Sequence, residues 1–294
     1  MDALSHALIT YLLFSASSLS PLIPFAVLGA VIPDADIVFP IISDRIPSLY
    51  LFTHGGIAHS FSGAIALSLL AYSAVVLVAI AGIVPPSVIA VTGIIGFAAI
   101  LAGSFLHLAI DLLAFPGIPL FAPFQDRKIT LGILPGPSLL LAMMAVGVVL
   151  TTLLRLAPFA SALRFYGYVV LAYFSIRIFM FLFADARLPG RKVPNINPFQ
   201  WLVIEEDDTS YHISTYTVFK GYSSEITFNK FHDTNAGEVE RTTRFFEARR
   251  FLFHSYCVTA ERIGSILILA DPVREKGYLF YPPKFKRIAV PAGK

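Results

Sequence analysis

Histidines and aspartates in short polar clusters are the residues of this sequence that could most directly do chemistry. His6 follows a serine, His54 and His59 stand together in a second cluster, and His107 precedes Asp111 by four positions. On a helix, a spacing of four places both side chains on one face, one turn apart. Histidine nitrogens and aspartate oxygens together suit Zn²⁺, and also Mn²⁺ or Fe²⁺. The sequence therefore predicts a site for one or two divalent ions, with zinc as the first candidate.

Two carboxylates that follow Pro33 complete a set of seven candidate site residues. The candidate metal ligands are His6, Asp34, His54, His59, His107 and Asp111. A divalent ion lowers the pKa of a bound water toward about 7 and polarises a scissile phosphoryl group. A carboxylate that a minimal ligand set does not need is the candidate catalytic acceptor of the water's proton, with Asp36 favoured and Asp34 as the alternative. Taken one at a time, these residues also fit a structural ion pair, a helix cap or a solvated loop.

The composition places these clusters in a membrane domain. Hydrophobic residues make up 56% of the 294 residues and charged residues only 14%, against roughly 45–50% and about 25% in soluble domains. The charge is also uneven, because residues 1–184 hold 12 of the 41 charged side chains and the first glutamate is Glu205. An apolar first part and a charged remainder predict a multi-pass membrane domain followed by a soluble domain.

Four apolar runs are candidate membrane-spanning helices, and two shorter runs precede them. The four candidates are residues 63–84, 88–113, 139–154 and 165–184. A tight turn is expected at Pro85-Pro86, between the first two. Residues 7–14 and 25–33 are each shorter than the roughly 20 residues that cross a bilayer core. They form either one interrupted span or a re-entrant helical hairpin, and the hairpin is favoured because it returns His6 and Asp34 to the same membrane face.

Three segments follow from these patterns. Residues 1–187 are predicted to form a mostly helical membrane domain with the metal site, residues 188–198 a linker rich in proline, glycine and asparagine, and residues 199–294 a soluble α+β domain. In the last segment, period-two alternation favours strands, and one charged stretch favours a helix. The predicted strands are 201–205, 211–219, 225–231, 265–270 and 277–281, and the predicted helix is 238–254.

Lysine and arginine residues divide unequally between the two membrane faces if the N-terminal hairpin does not cross. One face carries Arg45, Arg127, Lys128, Arg187, Arg191 and Lys192, and the other carries Arg155 and Arg164. The positive-inside rule makes the first face cytoplasmic. The candidate site and the C-terminal domain are therefore both expected on the cytoplasmic side of the inner or plasma membrane.

Five short motifs occur in order within the first 125 residues. They are Ser5-His6, LGAVIPDAD (28–36), HGGIAHS (54–60), GSFLHLAIDLL (103–113) and GIPLFAPF (117–124). In order and spacing they resemble the YdjM-like family of inner-membrane metal-dependent hydrolases, whose pattern contains the same histidines and aspartates. The chain departs from that pattern at Ile37, where many members carry histidine, and at Gly55 and Ala58, which replace arginine and threonine.

The resemblance implies a hydrolytic site with one or more metal ions that acts on phosphoesters, since the family is distantly similar to the zinc-dependent phospholipase C group. A site at the membrane face points to a membrane lipid, or another small membrane-associated molecule, as the substrate. The preferred function is therefore a membrane-bound metal-dependent hydrolase.

Two alternatives come from other functional classes. One is a metal-ion or proton transporter that uses the intramembrane His107 and Asp111, and the other is a non-catalytic membrane scaffold. A transporter normally places polar groups near the midplane and in both halves of its bundle, whereas this cluster gathers at one face. The net charge of +3 and the lack of a basic stripe exclude nucleic acid as a partner. A single cysteine, Cys257, excludes an internal disulfide framework.

Overall fold

Contacts divide the chain into two units in the computed structural model, which describes residues 1–83 and 87–292. The membrane unit comprises Met1–Phe39 and Thr53–Phe181, and the C-terminal unit comprises Pro40–Phe52 and Leu182–Lys294. Pro40–Phe52, called the inserted segment below, interrupts the membrane unit in sequence and packs with residues from the other end of the chain. The turn predicted at Pro85-Pro86 lies outside the described residues.

Apolar helices dominate the first part of the chain. In order they are α1 (Ala3–Ser15), α2 (Ile23–Val31), α3 (Pro40–Ser43), α4 (Phe61–Ile80), α5 (Ser87–Leu112), α6 (Leu139–Leu153) and α7 (Phe159–Arg187), of which α3 belongs to the inserted segment. Polar side chains cap the starts of three of them, including Ser138 at α6. Asp2 accepts a hydrogen bond from the N–H of Ser5 at α1, and Ser60 accepts one from the N–H of Gly63 at α4.

Among the described residues, four helical stretches are long and apolar enough to cross a membrane: Ser20–Ser43, Phe61–Ile80, Gly93–Leu112 and Phe159–Arg187. The last three coincide with spans predicted from the sequence. The span predicted at 139–154 corresponds to α6, whose 15 residues fall short of the roughly 20 that a bilayer core requires. The stretch that includes α2 reaches 24 residues instead, because 3₁₀ turns extend α2 at both of its ends and α3 follows the second turn.

Helices α1 and α2 pack against each other, which is the arrangement that the hairpin interpretation requires. His6, near the start of α1, stacks on the ring of His107 in α5, with ring centroids 3.7 Å apart. Ala30, near the end of α2, lies against the same ring through its carbonyl oxygen. The start of α1 and the end of α2 therefore meet at one place on α5.

Helices α2 and α5 approach so closely that their backbones touch. A Cβ atom on Gly29 would lie 1.9 Å from the carbonyl oxygen of Ile100, and one on Gly103 would lie 1.9 Å from that of Ala26. Small residues at a helix interface permit such an approach inside a membrane. The hydroxyl of Ser104 donates a hydrogen bond of 2.9 Å to the carbonyl of Gly29. This contact fixes α5, which carries two of the predicted site residues, against α2.

Two β-sheets form most of the C-terminal unit. The strands are β1 (Arg191–Pro194), β2 (Gln200–Glu206), β3 (Ser210–Thr217), β4 (Gly221–Tyr222), β5 (Ile226–Asn229), β6 (Phe231–His232), β7 (Thr259–Ile263), β8 (Ile266–Ala270) and β9 (Arg287–Pro291). The first sheet runs β1-β2-β3, with β4 and β5 both paired to β3, and the second runs β6-β7-β8-β9. Neighbouring strands are antiparallel apart from β6 and β7.

Three short helices complete the C-terminal unit: α8 (Ala236–Arg241), α9 (Phe246–His254) and α10 (Pro272–Glu275). Helix α9 buries Ala248 and Phe251 against the second sheet, in a cluster with Leu267 and Leu269 of β8. Burial of these apolar side chains holds α9 in place, at roughly 1.5–3 kcal/mol for each large one.

Strand β7 was not predicted from the sequence, and two other segments of this unit differ in detail from the prediction. Residues 191–194, expected in the linker, form β1, because Val193 becomes buried where this segment pairs with the edge of β2. The helix predicted over 238–254 is divided into α8 and α9 by the 3₁₀ turn Thr242–Arg244.

The strand predicted at 277–281 does not form. The N–H groups of Tyr278 and Leu279 donate hydrogen bonds to the carbonyl of Val273 and so close the end of α10. With those donors used in a helix-terminating turn, the segment cannot make a strand ladder, although its apolar residues fit a strand pattern.

Candidate metal centre

All seven predicted site residues lie in the membrane unit, and five of them come together. His6 comes from α1, Asp34 from the 3₁₀ turn Ile32–Val38, His59 from the 3₁₀ turn Ile57–His59, and both His107 and Asp111 from α5. The three histidines are at most 1% exposed. Buried ionisable groups of this kind are costly unless they are paired or bind an ion.

The five residues form two overlapping groups that could each hold a metal ion. The first group is His6, His107 and Asp111, and the second is Asp34, His59 and His107. Within each group, one ligand atom from every residue lies within 4.8 Å of the others. Because His107 belongs to both groups, the cluster suits either one ion or two neighbouring ions.

Asp111 connects all three histidines. Its Oδ1 lies 3.2 Å from Nε2 of His6, and its Oδ2 lies 3.3 Å from Nε2 of His107 and 3.4 Å from Nε2 of His59. The spacing of four between His107 and Asp111 on α5 therefore puts the two side chains together, as the sequence predicted.

The outer ring nitrogens of two histidines make hydrogen bonds that fix how each ring is presented. Nδ1 of His107 lies 2.7 Å from the carbonyl oxygen of Ala30, and a carbonyl only accepts, so Nδ1 carries the proton. Nδ1 of His59 lies 3.1 Å from a carboxylate oxygen of Asp36 and is likewise the donor. The Nε2 atoms of the two rings are 3.1 Å apart. With both rings neutral, these atoms carry lone pairs that repel unless both bind a cation, as two ligands of one metal ion do, whereas a proton on one Nε2 would make the contact a hydrogen bond.

Asp34 adds a buried carboxylate that lacks donors. Neither of its Oδ atoms has a hydrogen-bond partner among the described residues. Its Oδ1 lies 3.5 Å from Nε2 of His59 and 3.7 Å from Nε2 of His107. A buried carboxylate without donors is strongly disfavoured in a native structure, and coordination of a cation would satisfy it. Three imidazoles and two carboxylates form a donor set that suits zinc, and also manganese or iron.

A positive charge already lies against the cluster. The N-terminal ammonium of Met1 is 2.6 Å from Oδ1 of Asp111 and has no exposed surface. With neutral histidines, this one cation does not balance the carboxylates of Asp34, Asp36 and Asp111. The remaining negative charge equals that which one divalent ion would neutralise.

Asp36 and His54 lie beside the five central residues. One carboxylate oxygen of Asp36 is 2.6 Å from Nδ1 of His54, and the other accepts hydrogen bonds from the N–H of Gly55 and from Nδ1 of His59, both at 3.1 Å. Asp36 is fully buried, whereas the side chain of His54 is 36% exposed. Asp36 therefore contacts the far side of the His59 ring, and His54 contributes no ligand atom to either metal-binding group.

Backbone groups make three contributions that the sequence analysis did not identify. They are the ammonium of Met1, the carbonyl of Ala30 and the N–H of Gly55. The first two leave no signal in a pattern of side chains. Gly55 does leave one, because its φ of 71° favours glycine, and its N–H can then point at Asp36.

Comparison with known proteins gives one finding. No curated protein and no solved structure matches the chain. The sequence profile of the YdjM inner membrane protein family matches residues 1–187, a range that contains every residue of the candidate metal centre. With its four long apolar helices the protein is a membrane protein, and it belongs to the YdjM inner membrane protein family.

Proposed function

We propose that the protein is a membrane-bound metal-dependent hydrolase that cleaves a phosphoester of a lipid or other membrane-associated substrate. The observation that carries this proposal is the pair of Nε2 atoms, on His59 and His107, that lie 3.1 Å apart beside the carboxylates of Asp34 and Asp111. Zinc is the first candidate, and manganese or iron is the alternative.

The two metal-binding groups would divide the work of holding the ions. His6, His107 and Asp111 would hold one ion, and Asp34 and His59 would hold a second, with His107 between them. A bound ion of this kind supplies a water of low pKa and polarises a phosphoryl oxygen. The hydrogen bonds that the outer nitrogens donate keep the two rings turned so that each Nε2 would face a bound ion.

The carboxylates would have different roles. Both oxygens of Asp36 are engaged by His54, Gly55 and His59, so Asp36 suits holding those groups in position. Asp34 has no donor of its own and suits accepting a proton from a reacting water when it does not coordinate an ion. The geometry thus favours Asp34 over Asp36 as the proton acceptor, although the sequence pattern favoured Asp36.

Exposed apolar side chains adjoin the site and support a membrane-associated substrate. Ile37 and Val38 follow Asp36 directly and are 70% and 54% exposed. Phe124 is 92% exposed and belongs to the loop whose Leu120 carbonyl accepts a hydrogen bond from the start of α4. Apolar side chains in water are unfavourable, so these positions suit contact with lipid chains.

The test is to compare metal content and hydrolysis in the same preparations. Protein purified in detergent should contain one or two transition-metal ions per chain, measured by elemental analysis. It should release phosphate or a headgroup from at least one member of a panel of phospholipid vesicles and soluble phosphoesters. His107→Ala should lose metal and activity together, because both groups use His107. His232→Ala, exposed in the C-terminal unit, should keep both.

Two outcomes would count against the proposal. Full hydrolysis by a metal-free His107→Ala protein would exclude a metallohydrolase. Tight metal binding without turnover on any member of the panel would instead favour a transporter or a scaffold.

A further inference from the structure

The inserted segment, Pro40–Phe52, joins two residues of the candidate site. The chain leaves the membrane unit shortly after Asp36 and returns to it just before His54. These two residues are hydrogen-bonded to each other at 2.6 Å. The inserted segment therefore connects the two partners of a hydrogen bond at the candidate metal centre.

Arg250 of α9 holds the middle of this segment. Its Nη1 donates hydrogen bonds to the carbonyls of Ser43, at 3.3 Å, and Asp44, at 3.0 Å. Its guanidinium lies over the ring of Phe285, 3.8 Å from the ring centroid. Arg250 is 9% exposed and Ser43 is 3% exposed. Loss of a charged donor between two carbonyls at so buried a position would leave polar groups unsatisfied.

Two further contacts hold the same segment. The ammonium of Lys284 pairs with the carboxylate of Asp44. The ring of Tyr50 packs edge-on against Phe253 of α9, with ring centroids 5.7 Å apart. Helix α9 thus holds the inserted segment at two places, through Arg250 and Phe253, and the loop that precedes β9 holds it at a third, through Lys284.

We propose that the C-terminal unit positions the metal centre through the inserted segment, with Arg250 as the positioning residue. This rests on the proposed function in taking the cluster around His59 and His107 as a metal centre. By holding Ser43 and Asp44, Arg250 restricts the chain on both sides and keeps Asp36 within reach of His54 and His59. Groups that orient metal ligands from the outer shell typically alter metal affinity by about 10–100-fold, so a residue one step further away should have a smaller effect.

The first experiment measures hydrogen exchange in the full-length, metal-free protein. In Arg250→Ala, amides of residues 53–60 should exchange several-fold faster than in the wild type, because the hydrogen bond from Gly55 to Asp36 opens more often. Arg249→Ala is the matched control, since Arg249 is exposed on the same helix and its Nε binds the carbonyl of Thr243 instead. Faster exchange in residues 40–52 with no change in residues 53–60 would overturn the proposal.

The second experiment measures zinc affinity by competition with a chelator. Arg250→Ala should bind zinc about 3–10-fold more weakly than the wild type, below the range for direct outer-shell partners. Arg250→Lys should recover part of the affinity, because an ammonium can still donate to one carbonyl. If Arg250→Ala released the inserted segment but bound zinc as tightly as the wild type, the proposal that Arg250 positions the metal centre would be contradicted.

Two safeguards keep the outcomes separate. Should exchange across α9 and β8 show that Arg250→Ala unfolds the C-terminal unit, Lys284→Ala removes only the contact to Asp44 and takes its place. Faster exchange in residues 53–60 is then expected again, and its absence would overturn the proposal. A wild-type protein that binds no zinc would refute the proposed function, while the exchange experiment would still decide whether Arg250 positions Asp36 and His54.

Discussion

His59 shows how a single side chain links the centre of the site to its surroundings. Its Nε2 lies among the candidate ligands, and its Nδ1 is bonded to Asp36. This carboxylate–histidine arrangement is typical of metal sites, where the carboxylate fixes the tautomer and the orientation of the ring. The role of Asp36 is therefore open to a direct test.

Asp36→Asn should weaken zinc binding by about 10–100-fold, the range for outer-shell partners of metal ligands. The neutral amide is a poorer acceptor than a carboxylate and cannot serve His54, Gly55 and His59 equally well. Activity should return when zinc is added in excess. The measurement is kcat as a function of free zinc.

A different result would assign a different role. If kcat stayed about 100-fold low at saturating zinc, Asp36 would be the proton acceptor that the sequence pattern favoured. Asp34→Asn provides the comparison, because the Asp34 carboxylate accepts no hydrogen bond from the described residues that the substitution could break.

At the scale of residues, the sequence predicted which side chains come together but not how each side chain is oriented. The pairing of His107 with Asp111 follows from helical spacing alone. The direction of Asp36 depends on His54 and His59, which lie 18 and 23 positions away. No local pattern contains that information, since it arises only when two 3₁₀ turns pack together.

At the scale of elements, the contact between α2 and α5 determines where His107 lies. Glycines allow the two backbones to touch, and the carbonyl of Ala30 then reaches the His107 ring. Helix propensity would favour other residues at these positions, so the glycines reflect packing rather than local structure.

Gly29→Ala should separate the two helices and weaken the metal centre. The new Cβ would lie 1.9 Å from a backbone oxygen of Ile100, which cannot move aside without moving α5. Overpacking of this kind destabilises by about 1–3 kcal/mol or more. The melting temperature in detergent and the zinc content should both be lower than in the wild type.

Gly147→Ala is the matched control, because nothing lies within 4 Å of the added Cβ. It should leave the zinc content unchanged and be neutral or slightly stabilising, by up to about 1 kcal/mol. Equal zinc content in the two variants would show that the α2–α5 contact does not position His107.

Strand β3 carries an ion pair network that should make the C-terminal unit sensitive to pH. Nε2 of His212 lies 3.0 Å from Asp207, and Nδ1 lies 2.9 Å from Glu225. Hydrogen bonds to these two carboxylates raise the pKa of His212, and the bond from His212 lowers the pKa of Asp207.

The sign of the effect follows from the raised pKa of His212. Its stabilising contribution is complete below the unfolded value of about 6.5 and is lost as the pH rises through the folded value. The difference in melting temperature between the wild type and His212→Gln should therefore shrink from pH 6 to pH 9. The melting temperature can be measured from the fluorescence of Trp201, which is the only tryptophan and is buried in β2 of this unit. A constant difference would mean that His212 does not titrate in this range.

Elements were predictable where apolar length or alternation decided them. Helices α4, α5 and α7 and strands β2 and β3 follow those signals closely. The failures came from competition for hydrogen bonds and from strand pairing. Residues 277–281 satisfy their donors in the turn after α10, and residues 191–194 form β1 only because the edge of β2 is present.

For the whole molecule, we expect the inserted segment and the C-terminal unit on the cytoplasmic side. The positive-inside count of six to two supports this orientation if α6 crosses the membrane together with α4, α5 and α7 and the N-terminal hairpin does not. In a Cys257→Ser background, single cysteines at Ser48 and Ser224 should react with a membrane-impermeant maleimide only after permeabilisation. Both positions are exposed, as is Ser161, which should instead react in intact cells. If only one of the cysteines at Ser48 and Ser224 reacted in intact cells, the inserted segment and the C-terminal unit could not lie on the same side of the membrane.

The inserted segment also sets an order of events during synthesis. Ser43 and Arg250 are 207 positions apart. At translation rates of about 5–20 residues per second, roughly 10–40 s pass between the appearance of one and of the other. Asp111, the last of the candidate ligands, is added before the end of that interval, while the arginine that holds the inserted segment does not yet exist. A nascent or truncated chain would thus carry its metal ligands without their clamp, and completion of translation would itself control when the centre becomes ordered.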